Sequence, residues 1–214
     1  MRALVFIFVV ALLLFIGCAL PRERLLLGVP SKSVVLIPGL GGSILEAKWD
    51  FSFDWKRFYC QTKEDHWTQI WPSMFSAVPV ENECWKHLIK VGSNFENTKG
   101  VSVRVKDWGV LKLLNILAQV DLYLLNVPIA KYIEETSKRL GSLGYRVYGA
   151  PYDFRRILEP QYLHTFVPKL EKLIEEAGGH TILMSHSLGG PVTSYFLNQQ
   201  SKQWKKTHID RFIG

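Results

Sequence analysis

Apolar residues fall along this chain in two periods, and the alternation between them outlines a fold. Ser33-Val-Val-Leu-Ile-Pro38 and Thr181-Ile-Leu-Met184 are short apolar runs of the kind found in strands covered on both faces of a parallel sheet. Tyr145 to Tyr148 reads as a further strand, and Val101 to Val105 alternates Val/Ser/Val/Arg/Val as a half-exposed one. Between these, apolar residues recur at helical spacing from Ile129 to Leu143, ending near Gly141 and Gly144. They recur again from Tyr162 to Ala177, through Leu163, Phe166, Leu170, Leu173 and Ile174, and stop at Gly178-Gly179. Another amphipathic helix opens at Gly189-Gly190-Pro191, while the leucine-rich Val110 to Leu125 fits either a helix or a buried segment. Strand, helix, strand, helix, strand predicts an α/β fold built on a parallel, doubly wound sheet.

Two stretches depart from this pattern. After Arg2, Ala3 to Ile16 is unbroken apolar sequence, followed by Gly17-Cys18-Ala19, small residues of the type a signal peptidase reads. We expect residues 1–19 to be a signal peptide leading to a secretory compartment; an uncleaved signal anchor is the alternative, since the run approaches the length of a membrane span. The second stretch, Trp49 to Trp85, shows no sustained period and holds five of the seven tryptophans. Clustered aromatics there suit either a lipid interface, where indole tolerates the water–hydrocarbon boundary, or a small satellite core. Cys60 and Cys84 bracket much of it; in an oxidising compartment they pair as a disulfide, and otherwise they are two buried thiols.

Composition narrows the function classes. With 48% hydrophobic and 21% charged residues the chain is globular, and 214 residues suffice for one domain with a substantial core. The net charge of +7 becomes +6 without Arg2, 25 basic against 19 acidic residues. Apart from Lys202 to Lys206 and the Arg155-Arg156 pair the basic residues are scattered, without the stripe or arm of a nucleic-acid binder. The excess suits anionic head groups and equally an ordinary basic protein. His and Cys lack the spacing of a metal site, and no motif asks for a cofactor.

Candidate chemistry sits at the two strand ends. Ser187 has small residues two places away on both sides, Ser185 and Gly189, with a strand before and a helix after. This is the pattern of a nucleophile elbow, with Ser185 in the position of the first glycine of G-x-S-x-G. Gly39-Leu-Gly-Gly-Ser43 directly after the first strand exposes backbone N–H groups that can hold a negative oxygen. It has neither the G-x-G-x-x-G spacing of a dinucleotide site nor the Gly-Lys-Ser/Thr end of a Walker loop.

Four separated pieces, in order, carry a resemblance: Ile37-Pro-Gly-Leu-Gly-Gly-Ser43 with Leu45-Glu-Ala-Lys48, Ile70-Trp71 between two cysteines, Ala150-Pro-Tyr-Asp-Phe-Arg155, and Ser185-His-Ser-Leu-Gly189. The chain resembles the lecithin–cholesterol acyltransferase family, including its lysosomal phospholipase/transacylase branch. The resemblance implies an α/β-hydrolase fold over residues 33–214, with an aromatic lid region at about 49–100. It implies a serine acyl-enzyme mechanism on phospholipids, with Ser187 as nucleophile and the N–H groups of Leu40 and Leu188 as oxyanion donors. It also implies a Cys60–Cys84 disulfide stapling the lid, and lipid contact through Trp67 and Trp71. The implied partners are a phospholipid membrane or lipoprotein surface and, as acyl acceptor, water or a lipid alcohol, in a secreted or lysosomal setting.

One part of that family's machinery has no counterpart. An α/β-hydrolase triad runs nucleophile, acid, histidine in chain order, but Ser187 is followed only by His208 and then Asp210, reversed and at the next helix–strand junction. His186 lies inside the elbow, and His66, His87, His164 and His180 precede the serine. No triad acid or base is therefore assigned, later strands of the fold are expected to be missing, and the chain reads as a truncated acyl-ester enzyme, weak or inactive alone. The alternatives are a non-catalytic lipid-binding form and a neutral-lipid lipase of the same fold.

Overall fold

The computed structural model describes residues 32–51, 58–73, 79–106, 108–109 and 128–214. The expected signal segment and Val110 to Leu125 lie outside the described residues.

The centre of the molecule is β1 (Ser33–Ile37), all five of whose residues are buried. It is flanked in parallel register by β5 (Arg146–Gly149) and β6 (Thr181–Ser185), and β7 (Ile209–Ile213) continues the sheet in the order β5-β1-β6-β7. Burial on both faces is why β1 and β6 lack a polar alternation. Val35, Ile37 and Leu183 face one way, against Phe166, Leu170 and Ile174 of α3 (Pro160–Glu176) and Val192 and Phe196 of α4 (Gly189–Gln199). Val34, Leu36, Val147 and Ile182 face the other, where Leu140 of α2 (Pro128–Ser142) packs. The α/β class and the parallel sheet are as expected. α3 begins two residues earlier than its apolar pattern, because Pro160 suits the first helical turn, where its missing N–H costs nothing.

The chain runs from β1 outward to β5, then returns past β1 to add β6 and β7. The direction of strand addition therefore reverses between β1 and β6. In open α/β sheets a crevice forms outside the carboxyl ends of the strands at such a point. Pro38-Gly39 and His186-Ser187 leave those two ends.

The aperiodic stretch is more ordered than its sequence suggested. β2 (Leu45–Asp50), β3 (Lys63–Trp71) and β4 (Val101–Val105) form an antiparallel sheet in the order β3-β2-β4, and α1 (Pro79–Ile89) covers it. Leu45, Ala47, Trp49, Ile70 and Val101 form its core with Leu88. The register of β3 against β2 shifts between Ala47 and Trp49, which breaks the period-two pattern in the sequence. Among the described side chains of α1, Leu88 is the one buried in this core, so no helical stripe is visible either. Cys60 and Cys84 are joined in a disulfide that ties the approach to β3 to α1. Among the described residues, no helix is long and apolar enough to cross a membrane.

Candidate active site

The turn after β6 holds Ser187 at φ 51°, a left-handed conformation that a serine adopts only under constraint from its surroundings. His186 N–H donates to the Ile37 carbonyl at 3.1 Å, anchoring the turn to the end of β1. The N–H groups of Gly189 and Gly190 donate to the carbonyls of His186 and Ser187, both at 2.9 Å, and start α4. The result is an exposed serine at the top of a strand–turn–helix step. Gly189 is required by packing: a Cβ there would lie 2.6 Å from the Ile37 carbonyl oxygen and 2.7 Å from that of Pro38. Ser185, in the other small position, is buried, and its hydroxyl approaches the Ile213 carbonyl at 3.5 Å.

The glycine loop after β1 lies directly beside this serine. A Cβ on Gly39 would meet the Ser187 Cβ and the His186 imidazole, each at 3.0 Å. Gly42 N–H donates to the Gly39 carbonyl at 3.0 Å, closing a tight turn whose third residue, Gly41, has φ 71°. Leu40, at the tip, is 67% exposed. Among the described residues neither the Leu40 nor the Leu188 N–H donates to a protein acceptor. Two unspent backbone donors thus lie in the two turns that adjoin the serine.

The loop is pinned from below and from the side. Tyr152, fully buried, donates its hydroxyl to the Pro38 carbonyl at 2.9 Å, and its N–H donates to the Ser43 hydroxyl at 2.9 Å. Burial, with a lesser contribution from Tyr162, raises the Tyr152 phenol, which keeps the donated proton in place. Trp71, from the end of β3, donates its indole N–H to the Gly41 carbonyl at 2.7 Å and packs against Trp85 and Phe154. Next to Tyr152, Asp153 pairs with Arg155 at 2.6 Å, both side chains 7% exposed. Arg155 also donates to the Ile89 carbonyl and to Asn97 Oδ1, each at 3.1 Å, linking the segment after β5 to the end of α1. Tyr162 accepts the Asp153 N–H at 2.6 Å, and burial is the main reason its phenol is pushed up to about 12. Tyr152, Asp153 and Arg155 drew no role from the sequence, although the run Ala150 to Arg155 directly after a strand was their signal.

The two tryptophans expected at the lipid surface sit differently. Trp67 is half-buried on the outward face of the antiparallel sheet, with the Arg104 guanidinium 4.3 Å and the Lys48 ammonium 5.3 Å from its ring. Beneath them the buried Glu46 binds Arg104 at 2.7 Å and Lys106 at 3.0 Å. Trp71 is half-buried beside the glycine loop. A separate hollow of about 270 Å³ lies between the antiparallel sheet and α1, walled by Trp49, Phe51, Cys60, Ile70, Cys84 and Trp85. It is not lined by the loop or by Ser187.

His208 and Asp210 are far from the serine. The register pairs Thr181 with Ile209, so both residues stand at the amino edge of the sheet. The four steps from Thr181 to Ser185, about 13 Å at ~3.3 Å per residue, separate that edge from the start of the elbow. His208 stacks on Trp204 with ring centroids 4.8 Å apart, and Asp210 pairs with Lys32 at 3.4 Å and Arg211 at 3.1 Å. Among the described residues no side chain hydrogen-bonds the Ser187 hydroxyl, and no group of three or more His, Cys, Asp or Glu is arranged to hold a metal.

Residues 66–214 match the family model described as Lecithin:cholesterol acyltransferase. The chain belongs to the lecithin:cholesterol acyltransferase family. It is 31% identical over 194 residues to the Bos taurus "Lysosomal phospholipase A and acyltransferase", covering 85% of this chain and 46% of that protein. It is 32% identical over 197 residues to the Homo sapiens "Phosphatidylcholine-sterol acyltransferase", covering 86% of this chain and 42% of that protein. The chain thus spans about half the length of the curated relatives it matches. The match to the acyltransferase family model includes Trp67, Trp71, Cys84, the Ala150–Arg155 run and Ser187, and begins after the glycine loop.

Proposed function

We propose that Ser187 is the acyl-accepting nucleophile of a phospholipid acyl-ester enzyme, a phospholipase A and O-acyltransferase. The observation that carries this reading is the exposed, left-handed Ser187 beside two unspent N–H donors at the strand reversal. In the forward step the Ser187 oxygen bonds to the ester carbonyl carbon and its proton leaves to a base. The carbonyl oxygen becomes an oxyanion, held by the N–H groups of Leu40 and Leu188; each such donor is worth roughly 3 kcal/mol in the transition state. Collapse breaks the ester C–O bond, the lysolipid departs as the protonated alcohol, and the acyl group remains on Ser187. Water or a lipid alcohol then takes the acyl group and the serine recovers its proton. The names of the two relatives supply the phospholipid and the acceptor classes.

The base is not among the described side chains around Ser187, and a serine hydroxyl without one is a poor nucleophile near neutral pH. This chain by itself is therefore a slow acyl acceptor, with turnover orders of magnitude below a complete triad. Its lipid-facing region is the antiparallel sheet: Trp67 from the outward face, flanked by Lys48 and Arg104, and Trp71 next to the loop. Residues 1–19 act as a signal peptide, and the protein works in a secreted or lysosomal setting. The same absent base favours a second reading, a lipid-binding form without turnover.

Phosphatidylcholine vesicles with a long-chain alcohol test the two together. A slow release of fatty acid or alkyl ester that disappears in Ser187→Ala supports the enzyme. Vesicle binding without any Ser187-dependent product favours the second reading. Trp67→Ala should weaken vesicle binding severalfold, and unchanged binding removes Trp67 from the lipid surface.

A further inference from the structure

Trp71 makes a contact that lipid binding does not use: its indole N–H is spent inside the protein, on the Gly41 carbonyl at 2.7 Å. That carbonyl belongs to the peptide joining Gly41 to Gly42. A trans peptide is planar, with its C=O and N–H pointing opposite ways. The N–H of the same unit, Gly42, donates to the Gly39 carbonyl at 3.0 Å. That carbonyl in turn shares a planar unit with the Leu40 N–H, which donates to no described acceptor and follows Gly39, the residue packed against Ser187. Indole, peptide 41–42 and peptide 39–40 therefore form one chain of hydrogen bonds, each donor and acceptor opposed across a rigid plane. Such chains polarise their members in the same sense, so an indole at one end makes the last N–H a better donor and fixes its direction.

We infer that Trp71 is a positioning residue for the oxyanion loop, orienting the Leu40 N–H through two peptide groups. This rests on the reading of Leu40 as an oxyanion donor. Two surroundings favour it. The Trp71 ring packs against both Trp85 and Phe154, with centroids 6.2 and 5.7 Å away, and these contacts restrict its rotation off the loop. The neighbouring Trp85 spends its own N–H on the Ile70 carbonyl at 2.6 Å, which holds β3 and not the loop. The two indoles sit in one aromatic cluster and have different tasks.

That pair supplies the control. Trp71→Phe keeps a ring in the cluster and deletes the donor, whereas Trp85→Phe deletes a donor that does not touch the loop. Amide hydrogen exchange by NMR on the full chain, at Gly42 and Leu40, reads the turn without any chemistry. Loss of one hydrogen bond should speed Gly42 exchange by about fivefold or more in Trp71→Phe and leave it within about twofold in Trp85→Phe. Equal exchange in the unmutated chain and Trp71→Phe, or equal acceleration in both variants, overturns the positioning role. Should Trp71→Phe not fold, exchange of the Trp71 indole N–H in the unmutated chain decides: slow exchange is expected, and the rate of an exposed indole overturns it. A second arm measures phosphonylation of Ser187, expected to slow about tenfold in Trp71→Phe as one oxyanion donor is misdirected. If the unmutated chain yields no Ser187 adduct, the acyl-enzyme reading fails, while Gly42 exchange still decides the role of Trp71.

Discussion

The parallel sheet and the antiparallel excursion achieve order by different means, and the site is made where they meet. β1 and β6 are buried on both faces, and the elbow between β6 and α4 is shaped by backbone approach. The excursion buries one face of a three-stranded sheet and is tied down by a disulfide, by Arg155 and by Trp71. The nucleophile's turn is thus set chiefly by the ends of β1 and β6. The geometry of the glycine loop depends on the excursion as well, because the Gly41 carbonyl is held from β3.

The largest expected effect comes from cutting the polar tie between the two regions. Asp153→Ala leaves Arg155 buried without its carboxylate, and should cost about 3–5 kcal/mol in urea unfolding. Asp153→Ala combined with Arg155→Met should recover much of that loss, because the uncompensated charge is gone. A loss under about 1 kcal/mol in the single variant would mean the carboxylate is not needed to hold Arg155 in its tie to Ile89 and Asn97.

Removing the disulfide with Cys60→Ser and Cys84→Ser releases a loop with a sequence separation of 24 and should cost about 3 kcal/mol. Amide exchange should rise chiefly in β3 and α1 and much less in β1 and β6. An equal rise throughout would contradict the separation of the two regions.

The same contrast explains what could be read from the chain. β1, β6 and α3 were legible because double-sided burial and a continuous apolar face write themselves into the order of residues. Ser187 was legible because small residues are needed at fixed local distances from it. β3 was not: the register shift at Lys48 and the contact of Trp67 with Arg104 and Lys48 give it no alternation. The ties that matter to the loop are also invisible locally, since Trp71 and Gly41 are 30 residues apart and Tyr152 and Pro38 are 114 apart. Only the fold brings them together.

Smaller effects separate neighbouring positions within the core. Gly189→Ala should destabilise by about 1–3 kcal/mol, since the new methyl group meets two backbone carbonyls. Gly190→Ala meets nothing within 4 Å and should be neutral or stabilise α4 by up to ~1 kcal/mol. Matching unfolding midpoints for the two would remove close backbone approach as the reason for Gly189.

Alkaline pH probes the floor under the loop. Tyr162 stays protonated in the folded chain to about 12, and Tyr152 is raised in the same direction. Both ionise near their ordinary value, about 10, once unfolded. Between these limits the folded state holds more protons, so stability is complete below about pH 10 and falls as pH rises toward 12, by up to about 1.4 kcal/mol per pH unit for each tyrosine. Tyr162→Phe should flatten that fall in pH-dependent urea titrations; an unchanged slope would show that Tyr162 ionises no later in the folded chain than in the unfolded one.

The most direct test of Ser187 as acyl acceptor is incubation of the expressed chain with a fluorophosphonate, followed by peptide mapping of the adduct. The expected result is a slow, single adduct on Ser187 that is absent from Ser187→Ala. An adduct on Ser185, His186 or another residue, or one that persists in Ser187→Ala, would contradict it.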